Sequence, residues 1–139
     1  NHDGTVVLWW ADSGAQMRIF SGHTQWVESV EFSNDSKRII TASADRTARI
    51  WDVMSGDEIR CLTGHTDWVN SASFSFDNSM IATASNDETV RLWNSHSGAL
   101  LRVLRGHTFS VSSVRFSPDG TWLATGSWDH TVRVWDMRA

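Results

Sequence analysis

Tyrosine is absent from this chain, proline and cysteine each occur once, and no stretch of apolar residues approaches the length of a membrane span. The single cysteine, Cys61, excludes an intramolecular disulfide framework and suits a reducing compartment. An intracellular setting, cytoplasm or nucleus, is therefore expected. With Pro118 alone, the chain is not a Pro-rich linker. Twelve Lys and Arg against sixteen Asp and Glu give a formal charge of −4, so no basic stripe is available to phosphate backbones or anionic lipid. Neither nucleic acid nor a membrane is expected as a partner. No Cys/His spacing resembles a metal site, and His2, His96 and His130 fall in predicted turns where other units carry different residues. Turns such as Ser33-Asn34-Asp35 lack the spacing of a calcium loop, and no glycine-rich phosphate loop is present. Neither a metal nor a cofactor is expected. The chain opens on Asn-His-Asp rather than Met, so the want of a secretory signal carries little weight.

What is abundant is tryptophan: nine, beside six phenylalanines, in 139 residues. That skew points to a duplicated motif. Three segments align without a gap: GHTQWVESVEFSNDSKRIITASADRTARIWD, GHTDWVNSASFSFDNSMIATASNDETVRLWN and GHTFSVSSVRFSPDGTWLATGSWDHTVRVWD. Gly22, Gly64 and Gly106 are 42 residues apart, as are Trp51, Trp93 and Trp135. The opening DGTVVLW places Asp3 and Trp9 in register with Asp45 and Trp51. One domain over 1–139 is expected, with a partial unit 1–21 and units 22–63, 64–105 and 106–139.

Each unit reads as four short strands separated by turn chemistry. The first unit predicts Val27–Phe32, then a turn at Asn34-Asp35-Ser36, or Pro118-Asp119-Gly120 in the third unit. A second strand over Arg38–Ser43, Met80–Ser85 or Trp122–Ser127 carries small residues that let neighbouring sheets approach. The third strand alternates, with Ala48/Ile50, Val90/Leu92 and Val132/Val134 as its apolar positions. A more variable fourth strand follows, as in Glu58–Leu62 or Leu100–Leu104. Helical spacing of apolar residues is absent.

Gly-His at the start of a unit, Trp-Asp at its end and an Asp six residues before the Trp resemble the WD-repeat family. Trp93-Asn94 and Trp9-Trp10 are mild departures. The resemblance implies an all-β fold: β-propeller blades of four antiparallel strands, with about three and a half blades present, a partial propeller. The strand count predicts a segment of a longer propeller, cut within a blade at both ends. Open blade edges make self-association an expected property of the isolated piece.

Each unit also gathers His, Ser, Asp and Trp: His23, Ser43, Asp45, Trp51; His65, Ser85, Asp87, Trp93; His107, Ser127, Asp129, Trp135. Ser, His and Asp are the ingredients of a nucleophilic triad, but a hydrolase needs one such group in an open cleft. Recurrence in every unit suits a scaffold. The resemblance implies a buried network in which Asp meets His, His meets Ser, and Ser meets the indole N–H. No catalytic residue is assigned. Arg49, Arg91 and Arg133 share one position and are expected to be solvated or ion-paired.

In WD-repeat propellers, partners commonly use the face where the turn after the second strand meets the start of the first. Mapped by position, that face carries Trp26, Glu28 and Ala44; Trp68, Asn70 and Asn86; and Ser110, Ser112 and Trp128. Trp26, Trp68 and Trp128 are candidate aromatic anchors for other proteins or peptides. The expected function is a non-catalytic protein–protein interaction scaffold or adaptor. The alternatives are a peptide or modified-tail reader, or a regulatory propeller segment of a larger multidomain signalling enzyme.

Overall fold

A computed structural model describes residues 2–138, so Asn1 and Ala139 at the ends of the first and last predicted units lie outside the described residues. Thirteen strands and no helix occur among the described residues. No helix there is long and apolar enough to cross a membrane. The first sheet pairs β1 (Val6–Trp9) with β2 (Gln16–Phe20). The second orders β3 (Val27–Phe32), β4 (Arg38–Ser43), β5 (Ala48–Asp52) and β6 (Glu58–Leu62) side by side. The third repeats this with β7 (Val69–Phe74), β8 (Met80–Ser85), β9 (Val90–Asn94) and β10 (Leu100–Leu104). The last holds β11 (Val111–Phe116), β12 (Trp122–Ser127) and β13 (Val132–Asp136). Each sheet is an antiparallel meander, and the array does not close on itself.

Local chemistry sets the turns. Between β3 and β4 the Ser33 hydroxyl and the Lys37 N–H both donate to Asp35 Oδ1, at 2.6 and 3.0 Å, while Ser36 takes φ 60°. In the last sheet the Ser117 hydroxyl, then the N–H and hydroxyl of Thr121, hold the Asp119 carboxyl down at about 2. Such Asx-type contacts favour a tight reversal over continued strand.

The core lies between sheets rather than within them. Strands expose alternate residues on opposite faces, and the middle sheets bury both. Ile39 of β4 faces the first sheet with Phe20 and Trp51, against partly buried Val6 and Leu8. Its neighbours Ile40 and Ala42 face the third sheet with Val69, Ala72, Phe74 and Ile81. Ala82, Ala84, Val90 and Leu92 then meet Val111, Val114 and Leu123 of the last sheet. Fully burying an Ile- or Val-sized side chain contributes about 1.5–3 kcal/mol, so these seams hold neighbouring blades together.

Strands β3, β7 and β11 are also cross-linked at one repeat position. Glu31 Oε1 accepts from the Ser73 hydroxyl at 3.1 Å and the Phe74 N–H at 3.0 Å. The Arg115 Nε lies 3.6 Å from Glu31 Oε2, spanning the sheet between them. First strands therefore stand in a fixed row, which places their N-terminal ends together on one face.

Candidate functional site

Three equivalent polar chains run through the blades. His23 Nδ1 lies 2.8 Å from Asp45 Oδ2, and His23 Nε2 lies 2.6 Å from Thr41 Oγ1. The Trp51 indole N–H donates to the same hydroxyl at 2.9 Å. The ends fix the order of protons, because an indole only donates and a carboxylate only accepts. Trp51 donates to Thr41, Thr41 to His23 Nε2, and His23 Nδ1–H to Asp45. His65, Thr83, Asp87 and Trp93 repeat the chain, as do His107, Thr125, Asp129 and Trp135. The expected contact of Ser43, Ser85 and Ser127 with imidazole and indole is thereby corrected. The hydroxyl in that place belongs to the threonine two residues earlier.

Each carboxylate is saturated. Asp45 Oδ2 also accepts from the Thr24 N–H, while its Oδ1 takes both the N–H and the hydroxyl of Thr47. Asp87 and Asp129 accept the same four bonds from their own units. The glycine before each histidine is favoured by its backbone conformation, with φ 150° at Gly106, where an L side chain is strained. At Gly64 φ is 139°, which strains any side chain, and a Cβ would also push the end of the Arg91 side chain aside. Of the repeated arginines, Arg49 pairs with Glu58 at 2.9 Å.

The displaced serines brace a different surface. Ser43, Ser85 and Ser127 donate to the carbonyls of Gln25, Asp67 and Ser110, at 3.3, 3.2 and 2.9 Å. Beside them the backbone N–H groups of Ala44, Asn86 and Trp128 donate to the carbonyls of Trp26, Trp68 and Ser110, each at 2.9 Å. The turn after each second strand is thus latched to the start of the first strand. The candidate binding residues come together for that reason.

Trp26, Trp68 and Trp128 are all exposed, Trp128 most of all at 69%. Trp26 and Trp68 meet edge to face with centroids 5.9 Å apart, and His2 packs edge-on against Trp26 at 4.8 Å. Glu28, Trp68, Asn70, Asn86, Ser110, Ser112 and Trp128 line one cavity of about 440 Å³ together with Phe109. Trp26 lies outside it, in a smaller recess with His2 and Glu28. Ala44, buried at the equivalent turn, does not reach it. Phe109 was not a candidate by sequence, because its repeat position holds Gln25 and Asp67 in the other units.

The family described as WD domain, G-beta repeat matches residues 14–52, 56–94 and 98–136, most of the chain. The chain belongs to the WD domain, G-beta repeat family. Each matched WD repeat takes the last strand of one sheet and the first three of the next, so the family's units are offset from the sheets. Pre-mRNA-processing factor 19 homolog 2 of Arabidopsis thaliana is 45% identical over 47 residues, which is 34% of this chain and 9% of that protein.

Four groups of the WD-repeat network, His23, Asp45, Asp87 and Asp129, shift in one direction. Burial lowers the His23 pKa from its ordinary 6.5, outweighing the opposite pull of Asp45. Asp45 and Asp87 fall below 3.8 although burial opposes it, because hydrogen bonds from Thr47 and His23, and from His65 and Thr89, prevail. For Asp129 the Thr131 hydroxyl leads, and burial again opposes. All four groups bind protons less readily folded than unfolded, so stability is full above the unfolded value and lost as pH falls through the folded one. The thermal midpoint is expected to drop first below about pH 6.5, where His23 must charge, and again below about pH 4 with the carboxylates. Unfolding scans followed by circular dichroism check this, and a midpoint that rises on acidification overturns it.

Proposed function

We propose that this chain is a non-catalytic interaction scaffold or adaptor that docks a partner protein or peptide on the face bearing Trp26, Trp68 and Trp128. WD repeats generally mediate protein–protein interaction. The observation that carries the reading is the cavity in which Trp68, Trp128 and Phe109 stay open to solvent beside polar groups. Large rings left partly bare, on loops latched by backbone hydrogen bonds, offer apolar area with little ordering cost. The rival triad chemistry is opposed by the buried imidazoles: both ring nitrogens of His23, His65 and His107 are engaged, and each facing hydroxyl already accepts an indole. An intracellular setting is supported by the free Cys61 and by the pre-mRNA-processing name of the Arabidopsis protein.

The test begins with peptides selected from a displayed library on the immobilised chain. Trp68→Ala and Trp128→Ala are expected to weaken their binding at least about tenfold, the loss typical of a hot-spot aromatic. Folding stability should change by no more than about 1 kcal/mol at Trp128, which is 69% exposed, and by about 1–3 kcal/mol at Trp68, which is 38% exposed and packs on Trp26. Calorimetric titration and urea unfolding measure the two quantities. Unchanged affinity, or a loss of binding that only follows a loss of fold, sinks the reading.

A further inference from the structure

We propose that the cavity between Trp68, Phe109, Trp128 and Glu28 takes an arginine side chain presented by a partner peptide; this rests on the docking reading above and names its chemistry. The lining contains one carboxylate, Glu28, and no lysine or arginine. Glu28 is exposed, with no hydrogen bond or ion pair to the described residues. A negative charge left free at the mouth of an aromatic recess favours a cation and repels an acidic ligand.

The cavity offers open acceptors beside Glu28. Both N–H groups of the Asn70 amide are spent, on Asn86 Oδ1 at 2.7 Å and on the Val111 carbonyl at 2.9 Å. Its own oxygen is left to accept. The Ser112 hydroxyl donates to the Gly126 carbonyl at 3.2 Å, which leaves its lone pairs available. Against these stand donors, the Asn86 amide nitrogen and the indole N–H groups of Trp68 and Trp128, while the Ser110 hydroxyl can serve either way; the one full charge in the lining, on Glu28, decides for a donor-rich ligand. A ligand group rich in donors and free of acceptors fits that balance, and a guanidinium carries five N–H donors and none to accept.

Shape separates arginine from lysine. A planar guanidinium can lie flat on an indole while its edge meets a carboxylate in bidentate fashion and a neighbouring amide oxygen. An ammonium is a compact, strongly hydrated charge that loses more water for fewer bonds. The cavity volume of about 440 Å³ admits a side chain and its flanking backbone rather than a folded domain.

The experiment titrates the chain with the capped tripeptide Ac-Ala-Arg-Ala-amide while the indole N–H signals of its nine tryptophans are followed by NMR. Saturable shifts at Trp68 and Trp128 are expected. The citrulline peptide, isosteric but uncharged, should bind at least about tenfold more weakly, as loss of a charge-assisted bond implies. Glu28→Gln should weaken the arginine peptide similarly while keeping the pattern of indole signals, which reports that the fold is intact. The lysine peptide should bind between the two. Absence of saturable shifts, equal affinity for arginine and citrulline, or unchanged binding to the Glu28→Gln chain each overturns the proposal. If library-selected peptides still depend on Trp68 and Trp128 in that case, docking on this face stands without arginine. If they depend on neither, both readings fall.

Discussion

Thr83→Val is expected to destabilise the chain by about 2–4 kcal/mol, and Ser85→Ala by about 1 kcal/mol. Valine preserves the shape of threonine, so packing is nearly unchanged and the loss reads hydrogen bonding alone. It leaves two buried groups unpaired, the Trp93 indole N–H and His65 Nε2, each 2.9 and 2.7 Å from the hydroxyl that is removed. An unsatisfied buried donor or acceptor costs about 1–3 kcal/mol. Ser85 is as fully buried as Thr83, but its partners sit on an exposed and a half-buried residue: it donates to the Asp67 carbonyl at 3.2 Å and accepts from the Asp87 N–H at 3.0 Å. Water can replace part of that. Urea unfolding of the two variants beside the parent chain measures the difference. Equal losses, or a larger one at Ser85, would mean that the threonine is not the hub of the network.

Choosing between those hydroxyls illustrates what the sequence could carry. Thr83 and Ser85 recur with the same 42-residue period, so repetition alone does not separate them. Register does. In β8 and β9, Trp93 stands opposite Ile81 and Thr83 opposite Arg91. That makes Thr83 the diagonal neighbour of Trp93 on one face, within reach of a long side chain, whereas Ser85 lies a further two residues along, at the turn. The strands themselves were legible, with bounds such as Met80–Ser85 and Leu100–Leu104, because Asp-centred turns and glycines punctuate a period-two pattern. Phe109 was not, since reasoning by repeat is blind to a residue that departs from its siblings. Its signal was that departure itself: an aromatic at a loop position where the other units place Gln25 and Asp67.

Leu92→Ala and Val134→Ala change the same repeat position in consecutive sheets, yet their expected costs differ severalfold. Leu92 is 3% exposed and packs in the seam with Val111, Val114 and Leu123, so truncation removes apolar contact and leaves a cavity worth about 2–5 kcal/mol. Val134 is 63% exposed, and its truncation should cost no more than about 1 kcal/mol, the range of strand propensity. The sequence writes both as apolar residues alternating along a third strand. Periodicity tells which face a side chain takes, but only the neighbouring sheet decides whether that face is covered. In this chain β9 has the last sheet packed against it, while the corresponding face of β13 has nothing opposite among the described residues. Chemical unfolding at several protein concentrations resolves the pair. Comparable losses at both positions would show that the Val134 face is covered in solution, and a loss at Val134 that grows with concentration would identify a second copy of the chain as the cover.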